Sequence, residues 1–272
     1  MATLLEKYRE IKKILTDAQF PEAEAEARLI VADAAGLSLG EIFLKADRRV
    51  DFDVSAILEK RLSGMPLAYA MNKKYFMGFP FYVDESVLIP RQDTETVVFH
   101  ALRMIREKGY ETALDLCCGS GCIGISIAKL SSVRVIGSDI SADAVAVANK
   151  NAKDLYAKSF RAAQGDLFSC VFSTYDMIVS NPPYVTDTEY ERLENQVRGY
   201  EPKRALVGGL DFFERIAAQA AGHLNPGGAL IFEIGAGQKD AVLGILKKNG
   251  FLGIACYKDM ADRHRVMVCT TN

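Results

Sequence analysis

Apolar positions in the first seventy residues recur at three- and four-residue spacing, in LLEKYREIKKIL, in AEAEARLIVADAAGL after Pro21 and in DVSAILEKRL. That period gathers apolar side chains on one stripe of a helix, so residues 1–72 read as helices only and form a small helical domain. From Tyr75 the pattern changes to alternating aromatic residues around Gly78 and Pro80, in YFMGFPFYV. Alternation about a glycine turn reads as a hairpin, which suits a linker over residues 73–88.

After the polar stretch IPRQDTET, one helix (VVFHALRMIREKG) leads into short β-branched runs alternating with helical runs. The strand candidates are TALDL, VRVIGSD, FRAAQGD, YDMIVSN, GALIFEI, a run near FLGIACY, and RVMVCT. Seven strands interleaved with helices predict an α/β domain over residues 89–272, doubly wound, with its ligand at the carboxyl ends of the strands.

Composition narrows the class. The 272 residues carry 33 Lys and Arg against 35 Asp and Glu, a net charge of −2. The chain as a whole therefore has no basic field with which to coat nucleic acid. Hydrophobic residues at 49% and charged residues at 25% match an ordinary soluble globular protein. No long uncharged apolar run is present, and MATLLEKYREIKKIL lacks the apolar core of a secretory signal, so a cytoplasmic location without membrane attachment is expected. The six cysteines include no CxxC pair, and His100, His223 and His264 lie far apart, so no metal site is expected.

Candidate chemistry collects at the ends of the expected strands. The first ends in LDLCCGSGCIGISIAK, with Asp115 on the strand, and with Cys117, Cys118, Gly119, Ser120 and Gly121 in the turn. Glycines let a backbone turn tightly and approach a nucleotide-type ligand, although Cys117 and Cys118 stand where a dinucleotide fingerprint wants its first glycine. The second strand ends at Asp139, with Ile140 beside it. An acid at that place accepts both ribose hydroxyls of an adenosine, or else caps the helix that follows, a task that Ser141 is able to take. The third strand ends in GDLF, where Asp166 reads either as acceptor for an adenine amino group or as a plain loop aspartate, with Leu167 and Phe168 as apolar walls.

The fourth strand runs into Asn181-Pro182-Pro183-Tyr184. Two prolines end ladder pairing and hold the backbone extended, leaving carbonyls pointing into the site. The Asn181 side-chain oxygen and the Pro182 carbonyl form a pair of acceptors for one NH2 group, and Tyr184 offers a flat face to a planar substrate. Asn181, Pro182 and Tyr184 are the catalytic candidates, and with Pro183 they make the substrate clamp.

These residues resemble the amino-methyltransferases that carry an (Asn/Asp)-Pro-Pro-(Tyr/Phe) motif. Within them the chain is similar to the peptide chain release factor glutamine N(5)-methyltransferase family, over nearly its whole length. Besides NPPY, the matching segments are FYVDESVLIPRQDTE, LDLCCGSGCI, GDLF, EPKRALVGGLDFF and LNPGGALIFEIGAGQ. The resemblance implies a Rossmann-like seven-stranded class I methyltransferase domain that binds S-adenosylmethionine, and an N-terminal helical domain that helps dock a release factor. It also implies methyl transfer to the side-chain amide of the glutamine in a Gly-Gly-Gln motif. By motif position, Cys117 to Gly121 fall on the cofactor loop, Asp139 on the ribose acid, Leu167 beside adenine, and Asn181 to Tyr184 on the amide clamp. The departures are Cys117-Cys118 in place of Gly-Thr, and DRHR (residues 262–265) where a small residue usually precedes the arginine.

Two other readings are open. The same acceptor pair would grip the exocyclic amine of a flipped adenine in DNA or RNA, although the charge balance argues against stable nucleic-acid binding. A noncatalytic module that binds a translation partner is the other, but such a module needs neither Asp139 nor an intact NPPY.

Overall fold

The structure is a computed structural model that describes residues 2–272. Its contacts divide the chain into two compact units, with the break between Asn72 and Lys73.

In the first unit, β1 (Ala2–Thr3) leads into α1 (Leu4–Asp17), α2 (Ala23–Ala35), α3 (Glu41–Leu44), β2 (Arg49–Val50), α4 (Ser55–Leu62) and α5 (Leu67–Ala70). Thr3 and Glu6 close a capping box at the start of α1, which satisfies two otherwise orphaned backbone amides. Leu4, Tyr8, Ile11 and Leu15 share its inner face and pack with Ala27, Ile30 and Val31 of α2. Arg61 is buried among these helices. Its guanidinium makes two 2.8 Å bonds to Glu26 and lies 3.8 Å from the centre of the Phe20 ring. The helix-only expectation needs one correction. Ala2 pairs with Val50 and Thr3 with Arg49 in a small antiparallel ladder, too short to show as alternation in the sequence.

The second unit begins with β3 (Lys74–Phe76) and β4 (Phe79–Phe81). They form a hairpin whose two turn residues, Met77 and Gly78, both have positive φ, 50° and 78°, as a turn matched to strand twist requires. Phe76 and Phe81 are fully buried in the main core of this unit, so by its contacts the hairpin belongs to the sheet domain.

There follow α6 (Glu95–Lys108), β5 (Thr112–Leu116), α7 (Cys122–Leu130), β6 (Arg134–Asp139), α8 (Ala142–Asp154), β7 (Phe160–Gln164) and β8 (Tyr175–Ser180). After two short helices, α9 (Asp187–Tyr190) and α10 (Asn195–Tyr200), come α11 (Asp211–Ala220), β9 (Leu224–Glu233), α12 (Lys239–Lys248), β10 (Leu252–Lys258) and β11 (His264–Thr270). The seven strands from β5 onward lie in the order β10-β11-β9-β8-β5-β6-β7. All neighbours are parallel except the two pairs made by β11.

Alternate strand residues feed two cores. Ala113, Val135, Met177 and Ile231 pack under α6, α7 and α8, whereas Leu114, Ile178, Leu230 and Phe232 pack with α11 and α12. β9 starts four residues before the expected GALIFEI run, because Leu224 already pairs with Tyr175 across a register irregularity that accommodates Pro226 and Gly227.

The chain leaves β5 toward β6 on one side and later returns to place β8 on the other. That reversal opens a crevice between the ends of β5 and β8, the usual ligand place in such sheets.

Candidate active site

The loop after β5 turns through three left-handed residues, Cys117 (φ 57°), Gly119 (φ 52°) and Gly121 (φ 77°). Gly124, in the first turn of α7, is required by closeness instead. A Cβ there would stand 2.6 Å from the Phe160 ring and 2.8 Å from Asp115 Oδ2. Asp115 itself is wholly buried, its Oδ2 accepts the Gly124 amide at 2.8 Å, and its Oδ1 has no partner. Burial pushes its carboxyl up to about 7. It braces the loop from beneath and is not among the residues that line the crevice. Gly121 is likewise behind the lining, at the N-terminus of α7.

The crevice is a cavity of about 170 Å³, and Cys117, Cys118, Gly119, Ser120, Asp139, Ile140, Asp166, Leu167 and Asn181 all contribute to its wall. Asp139 Oδ2 accepts from Gly119 N and Oδ1 from Ser141 N, each at 2.9 Å. Ser141, not Asp139, caps α8 by accepting from Ala144 N. Each carboxylate oxygen has a second lone pair, so Asp139 keeps acceptor capacity for a diol. Burial raises its pKa against the opposing pull of the two amides. Ile140 is exposed and Leu167, at φ 51°, is buried, and both give apolar surface to the cavity that Asp139 lines. Asp166 is already engaged, since both its oxygens accept from Arg215 at 2.7 and 2.9 Å.

Past β8 the NPPY residues divide between two cavities. Asn181 and Pro183 line the larger cavity, while Pro182 and Tyr184, again with Asn181, line a neighbouring chamber of about 60 Å³. Ser180 Oγ donates to Leu116 O at 2.8 Å and ties the end of β8 to that of β5. The Asn181 amide is oriented by Thr94, whose hydroxyl oxygen accepts from Nδ2 at 3.4 Å. That assignment leaves the Asn181 side-chain oxygen as the outward acceptor. Tyr184 is held at both ends. Its hydroxyl donates to Glu233 Oε1 at 3.2 Å, and its carbonyl accepts from Gln238 Nε2 at 2.8 Å.

Sequence reasoning assigned no role to Thr94, Glu233, Gln238 or the ion pair of Arg91 with Glu201. Glu201 also accepts the Ile89 amide at 3.2 Å, so EPKRAL holds IPRQDTE in place across 110 residues. The only available signal was that these polar residues stand inside IPRQDTE, EPKRAL and EIGAGQ, segments singled out by resemblance alone.

Two family models match, the Methyltransferase small domain over residues 93–197 and the PrmC N-terminal domain over residues 6–71. A release factor glutamine methyltransferase of Clostridium acetobutylicum is 38% identical over 246 residues, which span 85% of this chain and 86% of that protein. The chain belongs to the release factor glutamine methyltransferase family. It is accordingly an enzyme of the methyltransferase class. The Geobacter sulfurreducens member is 37% identical, with 90% of this chain and 88% of that protein covered. A methyltransferase of Pyrococcus furiosus shares the fold, with a TM-score of 0.56 at 17% identity over 79% of this chain and 99% of that one. The Rossmann-like methyltransferase fold with an N-terminal helical unit is thus established. No helix among the described residues is long and apolar enough to cross a membrane, and no cluster of His, Cys, Asp or Glu among them is placed to hold a metal ion.

Proposed function

We propose that this enzyme methylates the side-chain amide nitrogen of the glutamine in the Gly-Gly-Gln motif of a peptide chain release factor. The methyl donor is S-adenosylmethionine, which supplies an activated sulfonium methyl when bound. The crevice fits that cofactor in kind: Asp139 offers free lone pairs for the ribose hydroxyls, Ile140 and Leu167 give apolar faces for the adenine, and the Cys117 to Ser120 backbone is available to the remainder, with Gly121 shaping the turn from behind. Asp115 acts from behind by holding the loop, and Asp166 would have to share its acceptors with Arg215 to reach the adenine amino group.

The observation that carries the reading is the place of Asn181, on the wall of both cavities, with its amide turned by Thr94 so that the oxygen is free. An amide nitrogen is a poor nucleophile because its lone pair is delocalised into the carbonyl. Asn181 Oδ1 and the Pro182 carbonyl, each accepting one N–H, stabilise positive charge developing on that nitrogen and aim its lone pair at the larger cavity. Tyr184 packs against the planar amide, and Pro183 keeps the clamp backbone extended. Proton loss follows methyl transfer, when the alkylated nitrogen is strongly acidic, so no histidine is needed.

Residues 1–72 have their own core, and we assign them to docking the body of the release factor; because release factors act in translation, the proposed site of work is the cytoplasm. The decisive experiment supplies methyl-labelled S-adenosylmethionine with unmethylated release factor or with adenine-rich DNA. Label on the glutamine supports the reading; label on DNA alone replaces it with an adenine methyltransferase.

A further inference from the structure

Glu233 is the last residue of β9, 2% exposed, and borders the small chamber with Asn181, Pro182 and Tyr184. One carboxylate oxygen takes the Tyr184 hydroxyl, while the other, Oε2, is buried without a hydrogen-bond partner. A buried carboxylate costs stability, and an unpartnered oxygen on it costs more. An aliphatic side chain would finish β9 more cheaply, so the cost is not explained by packing.

We infer that Glu233 is a positioning residue of the clamp, which locks the Tyr184 ring through Oε1 and keeps Oε2 as an acceptor for a backbone N–H of the bound substrate, both N–H bonds of the side-chain amide being taken by Asn181 and Pro182. This rests on the reading of the chamber as an amide site. The groups around the carboxylate are Tyr184 after β8, Thr94 and Asp93 ahead of α6, Arg91 on the chamber wall, Cys122 on α7 and Arg265 on β11. Burial pushes the Glu233 carboxyl up to about 7, against the opposing influence of Thr94, Arg265 and Tyr184. Burial and, after it, the neighbouring carboxylate hold the Tyr184 phenol well above its ordinary value, so the phenol is the proton donor of the pair. As pH falls through about 7, the carboxylate takes up a proton, its hold on the phenol weakens, and Oε2 becomes a hydroxyl instead of an acceptor.

The test compares the full-length enzyme with Glu233→Gln, Glu233→Leu and Tyr184→Phe. Glu233→Leu should lower kcat on release factor about a hundredfold, the scale of a small misplacement of reacting groups, while calorimetric affinity for S-adenosylmethionine stays within twofold. Glu233→Gln, which keeps an acceptor for Tyr184, should recover much of that loss, and the fall of wild-type kcat at acid pH should vanish in it. Independently of activity, carbon-13 labelling at tyrosine Cζ should show the Tyr184 signal, identified by its absence in Tyr184→Phe, shifting with pH near 7 in wild type and not in Glu233→Gln. A wild-type enzyme that leaves release factor unmethylated defeats the functional reading, and the Tyr184 signal then decides the pairing alone. The inference is overturned if Glu233→Gln matches wild type in both pH profile and Tyr184 signal. It is equally overturned if Glu233→Leu loses cofactor affinity in step with turnover.

Discussion

The Gly119 amide donates to Asp139 Oδ2 at 2.9 Å, so the acid at the end of β6 shapes the loop after β5 as well as facing the cavity. The other oxygen holds the Ser141 amide, and a single side chain thereby ties the loop after β5 to the start of α8 at the crevice.

Removing it should therefore loosen the loop and, in the proposed cofactor pose, lose the ribose acceptor as well. Asp139→Ala is expected to weaken S-adenosylmethionine binding by at least about 1.5–3 kcal/mol, the range for hydrogen bonds to a charged group. Asp139→Asn retains one carbonyl oxygen and should fall between the two. Titration calorimetry measures both, and unchanged affinity in the alanine variant would place the ribose elsewhere.

Cys117 stands at φ 57°, where a side chain costs about 1–2 kcal/mol and glycine about 0.5–1 kcal/mol through its greater freedom when unfolded. Cys117→Gly should then raise the melting temperature by a few degrees, because about 1 kcal/mol is worth roughly 2–4 °C in a domain of this size. Cys118 has no such strain and packs in the main core, so Cys118→Gly should lower it. Calorimetric melts in which Cys117→Gly is the more damaging change would show that its thiol contributes packing that outweighs the strain.

The same position shows what was legible beforehand. Cys117 stands at a left-handed position that favours glycine, and only the backbone angle reveals it. Asp139, Asn181 and the strand ends that carry them were legible because hydrophobic runs mark the strands, and ligands in doubly wound sheets gather at their carboxyl ends. Asp115 also lies on such an end, yet its side chain points down to Gly124, a direction set by strand alternation and not by residue type. Thr94, Glu201 and Glu233 act across long stretches of chain, through single polar contacts that leave no period in the sequence. The β1 and β2 pair failed to show for the opposite reason, being too short for alternation to register.

Asp115 predicts a pH dependence of stability. Its carboxyl has an ordinary value of 3.8 and is pushed up to about 7 by burial in the folded chain. The folded state therefore binds more protons between those values, so the contribution is most favourable below about 4, is lost progressively as pH rises to about 7, and is flat above. Asp115→Asn keeps an acceptor for the Gly124 amide and cannot ionise. Relative to wild type its melting temperature should rise as pH goes from 4 to 8, whatever constant offset the amide brings. Parallel curves for the two proteins, followed by circular dichroism, would mean that Asp115 is not a buried titrating acid.

The clamp is tested at Asn181, the one NPPY residue whose side chain carries a carbonyl acceptor. Asn181→Ala takes that acceptor away while leaving Asp139 and the β5 loop in place, so affinity for S-adenosylmethionine should change little. The loss should fall on turnover, at about 100- to 1000-fold, as for other groups whose hydrogen bonds strengthen in the transition state. Asn181→Asp keeps the acceptor geometry, adds charge and loses the donor to Thr94, and should retain activity above that of Asn181→Ala. Thr94→Val leaves the Asn181 amide in place but free to turn, so its loss should be smaller than that of Asn181→Ala and should appear in kcat more than in KM. Single-turnover methyl transfer at saturating release factor separates these effects from docking. Near-normal rates in Asn181→Ala would mean that the backbone carbonyl of Pro182 suffices to hold the amide, and the two-acceptor clamp would have to be abandoned.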